Sequence, residues 1–388
     1  MDAADQLRLA PPRAGHIVLA PDKFKGSLSA VEVATWLRAG ITRAVPTADV
    51  RLAPVADGGE GTVEAALVAG FAPMEVRATG PLGQPVEAVI AVRDGTVVVE
   101  LAQASGLQLP GGGREPLRAT SFGTGQLVLA ALDAGCHTVI LGIGGSASTD
   151  GGAGMMQALG ARLIGHGGPM AAAGGGDLVQ LDSVDLSGLD PRLAATRFVL
   201  ASDVDNPLLG PHGAAAVFGP QKGASTSQVV ELERGLRRWS DSVAGRVGRD
   251  FSTEPGAGAA GGVGFAAMAL LHAESRPGIE LMLQLIGFSD QLAGASLVVT
   301  GEGSLDEQSL HGKAPVGVAL AAVQHGIPTV VVAGRTTLAA PVLAGAGFQA
   351  THTLQSREPD LGRCMSEAGP LLSLIGEQIG QDWATALR

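Results

Sequence analysis

The sequence predicts an α/β fold: a Rossmann-like parallel-sheet domain with a second α/β domain inserted into it. Apolar strands that end in glycine-rich loops alternate with helical segments at both ends of the chain, as in βαβ units. The middle instead has a hairpin signal, Asp94-Gly95, between two β-rich runs. We therefore expect residues 1–78 and 290–388 to form one discontinuous domain and residues 79–289 to form the insert.

The N-terminal elements follow from hydrophobic pattern and capping. His16–Ala20 is a short apolar run, which is typical of a buried parallel strand. Ser29 with Glu32 three residues later is a capping box that predicts the start of a helix. The predicted elements here are the strand His16–Ala20, the helix Val31–Ala44, the strand Asp49–Val55 and the helix Val63–Ala69.

The same reasoning covers the rest of the chain. The predicted strands are Val86–Val92, Thr96–Leu101, Thr138–Ile143, Phe198–Leu200, Ser296–Thr300 and Pro328–Ala333, the last ended by Gly334. The predicted helices are Thr120–Ala134, Ala153–Gly160 and Lys313–His325.

Composition excludes several classes of protein. The net charge of −11 and the aromatic content of 3% argue against nucleic-acid binding. No stretch reaches the length of about 20 apolar residues that spans a bilayer, so we expect no membrane partner. Two cysteines far apart and no signal peptide favour a cytoplasmic location. The histidines show no metal-ligand spacing. The sequence has no Gly-x-Ser-x-Gly elbow, no Cys-His pair and no Rossmann Gly-x-Gly-x-x-Gly after the first strand, so the hydrolase and dinucleotide interpretations lack their usual support.

Lysine is rare, and its positions are informative. Only Lys23, Lys25, Lys222 and Lys313 are lysine among the 26 Lys and Arg residues. All four lie in glycine-containing, turn-like segments, where backbone N–H groups and an ammonium can bind phosphate together. The alternative is a compositional bias in which these lysines survive by chance.

Residues 142–152 form the richest segment, a glycine- and hydroxyl-rich loop between a strand and a helix. Successive glycines can present their N–H groups as an anion-binding nest, so Gly144, Gly145 and Ser146 are candidate substrate contacts. Asp150 is a candidate catalytic carboxylate. The competing interpretation is a tight turn in which Asp150 only caps the helix.

Two further loops place carboxylates after strands, where open α/β sheets bind ligands. Asp57 precedes two glycines and is a second catalytic candidate, whereas an acidic helix N-terminus fully accounts for Glu60. Asp203 and Asp205 share a face of an extended segment and suit Mg²⁺. A turn set by Asn206-Pro207 would explain this pair equally.

The remaining candidates lie towards the C-terminus. Glu302 is a candidate cofactor contact and Lys313 a candidate phosphate contact, while Asp306 is expected to cap a helical turn. Gly261 and Gly262 belong to a glycine-rich run that could bind a nucleotide or allow close helix packing.

Carboxylates, lysines and glycine nests without redox or nucleophile motifs predict phosphoryl transfer, which depends on positioning and charge neutralisation. A non-catalytic sensor of a small anionic metabolite is the main alternative. A sensor would not need several carboxylates at strand ends, since these repel its anion.

At these segments the chain resembles the type I glycerate kinase family. The matching strings cover residues from about 16 to 350 in family order. They are Ala20–Leu28, Ala56–Thr62, Gly144–Gly152, Asp203–Leu208, Phe218–Ala224, Arg276–Ile279, Thr300–Gly303 and Gly312–Pro315. Lys23 stands where many relatives have Ser, and Ser148-Thr149 where many have Thr-Asn.

The resemblance implies ATP- and Mg²⁺-dependent phosphorylation of D-glycerate to 2-phospho-D-glycerate, with the active site between two domains. A kinase for another small hydroxy acid stays open, as does a homo-oligomer.

Within this expectation each candidate has a role. Asp150 or Asp57 accepts or orients the hydroxyl proton, and Lys25 and Lys313 neutralise the phosphoryl oxygens. The glycerate carboxylate is held by Lys23 and Lys25 or by the nest. The remaining assignments are Lys222, Gly261, Gly262 and Glu302 to the cofactor ATP, and Asp203 and Asp205 to Mg²⁺.

Overall fold

The computed structural model describes residues 15–110, 114–171, 174–310 and 312–387. The strands are β1 His16–Pro21, β2 Val50–Leu52, β3 Ala72–Thr79, β4 Pro85–Arg93, β5 Thr96–Glu100, β6 Thr138–Gly142, β7 Arg162–Gly165, β8 Gly168–Pro169, β9 Leu181–Asp185, β10 Arg197–Ala201, β11 Glu274–Arg276, β12 Ala295–Leu305, β13 Thr329–Thr336 and β14 Ala350–Thr353. The helices are α1 Ala30–Ala44, α2 Thr62–Val68, α3 Ala102–Ser105, α4 Phe122–Asp133, α5 Ala153–Ala158, α6 Ala214–Phe218, α7 Thr226–Val247, α8 Ala259–Leu270, α9 Gly278–Leu285, α10 Phe288–Leu292, α11 Ala314–Gln324, α12 Ala340–Gly345, α13 Leu361–Ser366 and α14 Ala368–Ala386. Short 3₁₀ helices occupy Asp177–Gln180, Pro191–Ala195, Pro220–Lys222 and Glu307–Leu310.

The chain divides into two compact units. The first contains the described residues up to Asp57, Glu64–Ala69 and those from Ile279 onward; the second contains Gly58–Val63 and Gly70–Gly278. These units do not coincide with the boundaries near residues 79 and 289, because β3 pairs with β4 in the second unit. The assignment of functional domains stays a prediction.

The first unit is built on a parallel sheet in the order β14-β13-β12-β1-β2. The side chains of β1, an interior strand, alternate between the two faces of this sheet. Ile17 and Leu19 belong to the core cluster shared with α1 and α14, while Val18 and Ala20 belong to the one shared with α9, α10 and α11. Because helices cover both faces of the sheet, its strands are continuous apolar runs in the sequence.

Helix α1 begins as predicted, with a complete capping box of Ser29 and Glu32. It packs closely on α14 through glycine. A Cβ added at Gly40 would lie 2.0 Å from the Ser373 carbonyl oxygen, so a larger residue would separate the two helices.

The second unit contains a mixed sheet in the order β11-β10-β6-β5-β4-β3 and a small antiparallel sheet, β8-β7-β9. Strands β5, β6, β10 and β11 are parallel, whereas β3, β4 and β5 form an antiparallel meander. Asp94 and Gly95 have φ values of 50° and 72°, the left-handed pair that a two-residue hairpin turn requires.

The predicted α/β class with parallel sheets is confirmed, with three local corrections. Strand β2 covers only Val50–Leu52 of the predicted Asp49–Val55. Strand β12 continues past the predicted end at Thr300 and includes Gly301–Gly303, because β13 pairs with it as far as Leu305. For the same reason Gly334 does not end β13, which reaches Thr336. Within the described ranges, no helix is long and apolar enough to cross a membrane.

Candidate functional site

Three carboxylates lie at the carboxyl edge of the first unit's sheet. Asp22 follows β1 directly, and its N–H donates to the Gly301 carbonyl at 2.8 Å. Glu302 is the next residue along β12, and Asp57 follows the segment after β2 and influences the ionisation of both. Neighbouring parallel strands thus bring the three side chains to one edge, where such sheets bind ligands.

Burial controls the ionisation of these carboxylates. It raises the pKa of Asp22 from 3.8 to about 7; Lys23 opposes this shift, and Asp57 and Glu302 add to it. Burial also raises the pKa of Glu302, an effect that nearby Lys313 opposes. The edge therefore holds a carboxyl group that changes its ionisation near neutral pH, as proton transfer requires.

Lysines flank the same edge. The Lys23 Nζ lies 3.7 Å from the Asp22 Oδ1, and Lys313 is the residue just before α11. Lys25 is exposed, and its backbone N would lie 3.2 Å from a Cβ added at Gly303, so this turn follows β12 closely. The ammonium groups of Lys23 and Lys313 thus act on carboxylates of this edge, and the backbone of Lys25 lies beside β12.

Asp150, in the second unit, is fully buried and accepts many hydrogen bonds. Its Oδ2 accepts from the Ser121 N–H at 2.8 Å, the Ser121 hydroxyl at 2.7 Å, the Gly154 N–H at 3.2 Å and the Thr120 hydroxyl at 3.4 Å. Its Oδ1 accepts from the Gly152 N–H at 3.2 Å. These bonds tie the loop after β6 to the start of α4, and they favour a role in holding both.

Lys222 is 2% exposed and contacts the same loop. Its Nζ donates to the Ser146 hydroxyl at 2.8 Å and to the Ser148 carbonyl. Burial lowers the pKa of Lys222 from 10.5 to about 7, and Asp150 partly offsets that effect. Both described bonds can also be made by an uncharged amine, which keeps two hydrogens.

The glycine loop is closely packed at its first residues. The Gly144 N–H donates to the Gly58 carbonyl at 3.3 Å, so within the second unit this N–H already has an acceptor. Gly145 has a φ of 75°, and a Cβ there would lie 2.8 Å from the Glu60 Oε1. The positive φ therefore favours glycine at position 145. At position 144 space requires glycine, because an added Cβ would lie 2.4 Å from the Gly59 Cα. Ser146 is held by Lys222.

Gly261 and Gly262 lie at a kink in the first turn of α8 and have left-handed conformations, with φ values of 69° and 97°. The Gly261 carbonyl accepts from the Gly151 N–H at 2.9 Å, and a Cβ at Gly261 would lie 2.1 Å from the Ser148 carbonyl oxygen. This close contact explains the glycine pair, and nucleotide binding by it stays a prediction.

Asp203 and Asp205 are both exposed in the segment after β10. The Asp203 Oδ1 accepts from the Gly278 N–H at 2.8 Å. Across the described ranges, no three His, Cys, Asp or Glu side chains form a cluster that could hold a metal. The pair still fits Mg²⁺, because that ion commonly takes one or two carboxylates and completes its shell with phosphate and water.

Glu100 was not among the residues inferred from the sequence. It ends β5, is 3% exposed, and its Oε2 accepts from the N–H groups of Gly61 at 3.1 Å and Val63 at 3.2 Å. A carboxylate that directly follows the apolar run Val97–Val99 is the signal that could have indicated it, since such a buried charge needs a partner.

Replacing Lys222 by methionine is expected to change how stability depends on pH. The folded protein disfavours protonation of Lys222, so between about pH 7 and 10 the unfolded chain binds more protons, and this group's contribution to stability rises with pH. The free energy of unfolding of the wild type, relative to that of Lys222→Met, should rise by about 1–3 kcal/mol between about pH 6.5 and 9. Urea unfolding at each pH would measure it. Lys25→Met, at an exposed site, is the control and should show no such gain. A difference in the free energy of unfolding between wild type and Lys222→Met that stays constant over this pH range would contradict the expectation.

Comparison with known proteins gives consistent results. A family model described as the glycerate kinase family matches residues 17–384. The chain is 48% identical over 325 residues to glycerate 2-kinase of Escherichia coli, covering 83% of this chain and 85% of that protein. It is 43% identical over 367 residues to glycerate kinase of Halalkalibacterium halodurans, covering 94% of this chain and 97% of that protein. A crystal structure from Salmonella typhimurium LT2, assigned as glycerate kinase 2, matches with a TM-score of 0.81 at 42% identity and covers 96% of this chain and 99% of that one.

Proposed function

Because the chain belongs to the glycerate kinase family and is a kinase, we propose that it transfers the γ-phosphoryl group of ATP to the C2 hydroxyl of D-glycerate with the help of Mg²⁺. The observation that carries this proposal is the first unit's sheet edge, where the buried Asp22 and Glu302 lie with Asp57 between flanking lysines. Phosphoryl transfer needs this combination of proton acceptor and fixed positive charge.

The lysines act on charge that develops during transfer. Lys313 and Lys25 neutralise the phosphoryl oxygens, since a preorganised cation stabilises the transition state without reorganisation. Lys23 pairs with the glycerate carboxylate, which is the only charged group of that substrate. The alternative site for this carboxylate is the loop of Gly144, Gly145 and Ser146.

Metal and nucleotide contacts complete the proposal. Asp203 and Asp205 would hold Mg²⁺, which supplies charge neutralisation to the phosphate groups when bound. Glu302, Gly261 and Gly262 are proposed nucleotide contacts. Lys222 was predicted as another; its buried bonds to Ser146 and Ser148 support a role in holding the loop.

The surroundings of Asp150 and Asp57 favour different roles. Asp150 is saturated by hydrogen bonds from its own unit, whereas Asp57 is half-buried and lies among the carboxylates and lysines of the sheet edge. We therefore place proton transfer at that edge.

A cytoplasmic location is also proposed. Both cysteines are free thiols, as expected in that compartment.

Release of ADP tests the function. Purified protein with ATP and Mg²⁺ should release ADP with D-glycerate, much less with L-glycerate or with other small hydroxy acids, and none without an acceptor. Removing divalent cations with EDTA should abolish turnover, and added Mg²⁺ should restore it. A protein that binds D-glycerate but releases no ADP would be a sensor, and preference for another hydroxy acid would change the substrate assignment.

A further inference from the structure

The position of Asp22 at the sheet edge is fixed by its backbone and by burial. Asp22 follows β1, an interior strand that lies between β12 and β2. Its N–H is bonded to the Gly301 carbonyl of β12, so the backbone at this residue is part of the sheet. The residue is 6% exposed, and its side chain is therefore held by packing as well as by the sheet.

Charged groups from three neighbouring segments act on this carboxylate. Lys23, on the loop after β1, donates its N–H to the Asp22 Oδ1 at 2.6 Å and places its Nζ 3.7 Å away. Asp57, after β2, and Glu302, in β12, contribute negative charge. The hydrogen bond from the Lys23 N–H and the contact with the Lys23 Nζ both fall on the same oxygen of Asp22, Oδ1. One oxygen is thus positioned by Lys23, and the other is left to take up a proton.

We propose that Asp22 is the catalytic residue that accepts the hydroxyl proton of the acceptor substrate during phosphoryl transfer. This inference rests on the proposed kinase function and assigns to Asp22 the step left open between Asp57 and Asp150. It makes Asp57 a positioning residue, which acts by setting the charge around Asp22, and Glu302 adds to that charge besides its proposed contact with the nucleotide.

The step balances as a displacement at phosphorus. The hydroxyl O–H bond breaks and its proton moves to the Asp22 Oδ2. The hydroxyl oxygen forms a bond to the γ-phosphorus, and the bond from that phosphorus to the bridging oxygen breaks, leaving its electron pair on ADP. Asp22 then returns the proton to solvent before the next turnover.

The ionisation of Asp22 supports this assignment. Burial raises its pKa to about 7, so near neutral pH the carboxylate is populated and is also basic enough to take a proton. The hydrogen bonds that saturate Asp150 leave it no comparable freedom.

The test is a set of pH profiles of kcat/KM. Wild type should lose activity as the pH falls through about 7. Asp22→Asn should lower kcat by about 10²- to 10⁴-fold and remove this acid limb, and Asp22→Glu should retain part of both. Asp57→Asn, which removes negative charge, should move the limb to lower pH. Lys23→Met, which removes positive charge, should move it to higher pH.

A second measurement does not depend on turnover. Infrared titration should show one carboxyl C=O band that titrates near neutral pH in wild type and is missing in Asp22→Asn. If Asp22→Asn fails to fold, the shifts of the acid limb in the kcat/KM profiles of Asp57→Asn and Lys23→Met test the inference instead. A folded Asp22→Asn protein with near-normal kcat and an unchanged acid limb of the pH profile would overturn the inference. An acid limb that stays at the wild-type pH in both Asp57→Asn and Lys23→Met would also overturn it. Wild-type protein that phosphorylates no acceptor would instead refute the proposed function, while the infrared band would still report on Asp22.

Discussion

Replacing Asp150 by alanine is expected to destabilise the second unit by about 3–5 kcal/mol, the usual cost of removing one partner of a buried charged group. The substitution leaves the Ser121 N–H and hydroxyl and the Gly154 N–H without their acceptor. It also removes the negative charge that supports a charged Lys222. For a unit of this size the loss corresponds to a Tm lower by roughly 6–20 °C.

Calorimetry or urea unfolding would measure this effect. Asp241→Ala is the matched control, because Asp241 is exposed, and its removal should change stability by less than about 0.5 kcal/mol. An Asp150→Ala protein as stable as this control, but with kcat reduced by orders of magnitude, would return Asp150 to the role of proton acceptor.

Replacing Lys313 by methionine is expected to lower kcat by about 10²- to 10³-fold, the loss typical when one preorganised group that stabilises transition-state charge is removed. Lys313 precedes α11, and its ammonium lies close enough to Glu302 to affect the ionisation of that carboxylate. Methionine keeps most of the apolar part of the side chain and removes the ammonium group.

Steady-state kinetics with ATP and D-glycerate would measure the change. Lys313→Arg restores the charge in a planar, longer group, so it should recover only part of kcat. Lys313→Met should keep the wild-type Tm, because the side chain is only half-buried. Near-normal kcat in Lys313→Met would mean that this lysine takes no part in the transfer.

Local signals in the sequence predicted much of the fold. The capping box of Ser29 and Glu32 and the hairpin at Asp94-Gly95 depend on neighbouring residues alone, and both form as predicted. The apolar run at His16 becomes a buried parallel strand because both faces of its sheet are covered. The continuation of β12 through Gly301–Gly303 depends on pairing with β13, which no local pattern encodes.

The candidate site likewise has features that the local sequence indicates and features that depend on distant residues. Rare lysines indicated Lys23 and Lys313, which the fold brings to one sheet edge with Asp57 and Glu302. Asp22 adjoins Lys23 in the sequence but was passed over, because its raised pKa comes from burial and from charges on distant strands.

The second unit gives the converse example. The sequence predicts a catalytic role for Asp150 from its glycine-rich loop, and that role stays a prediction. The hydrogen bonds that Ser121 and Thr120 donate to it come from a distant part of the chain and could not be predicted locally. A sequence shows which groups a loop carries, but not which of them already have partners.

Phosphorus and carbon NMR of the reaction product would test most directly whether this protein phosphorylates D-glycerate. With ATP, Mg²⁺ and D-glycerate, we expect one new phosphate monoester, coupled to the carbon that bears the C2 hydroxyl and formed in the same amount as ADP. A phosphate on the terminal hydroxyl, or inorganic phosphate as the only product, would contradict the proposed reaction.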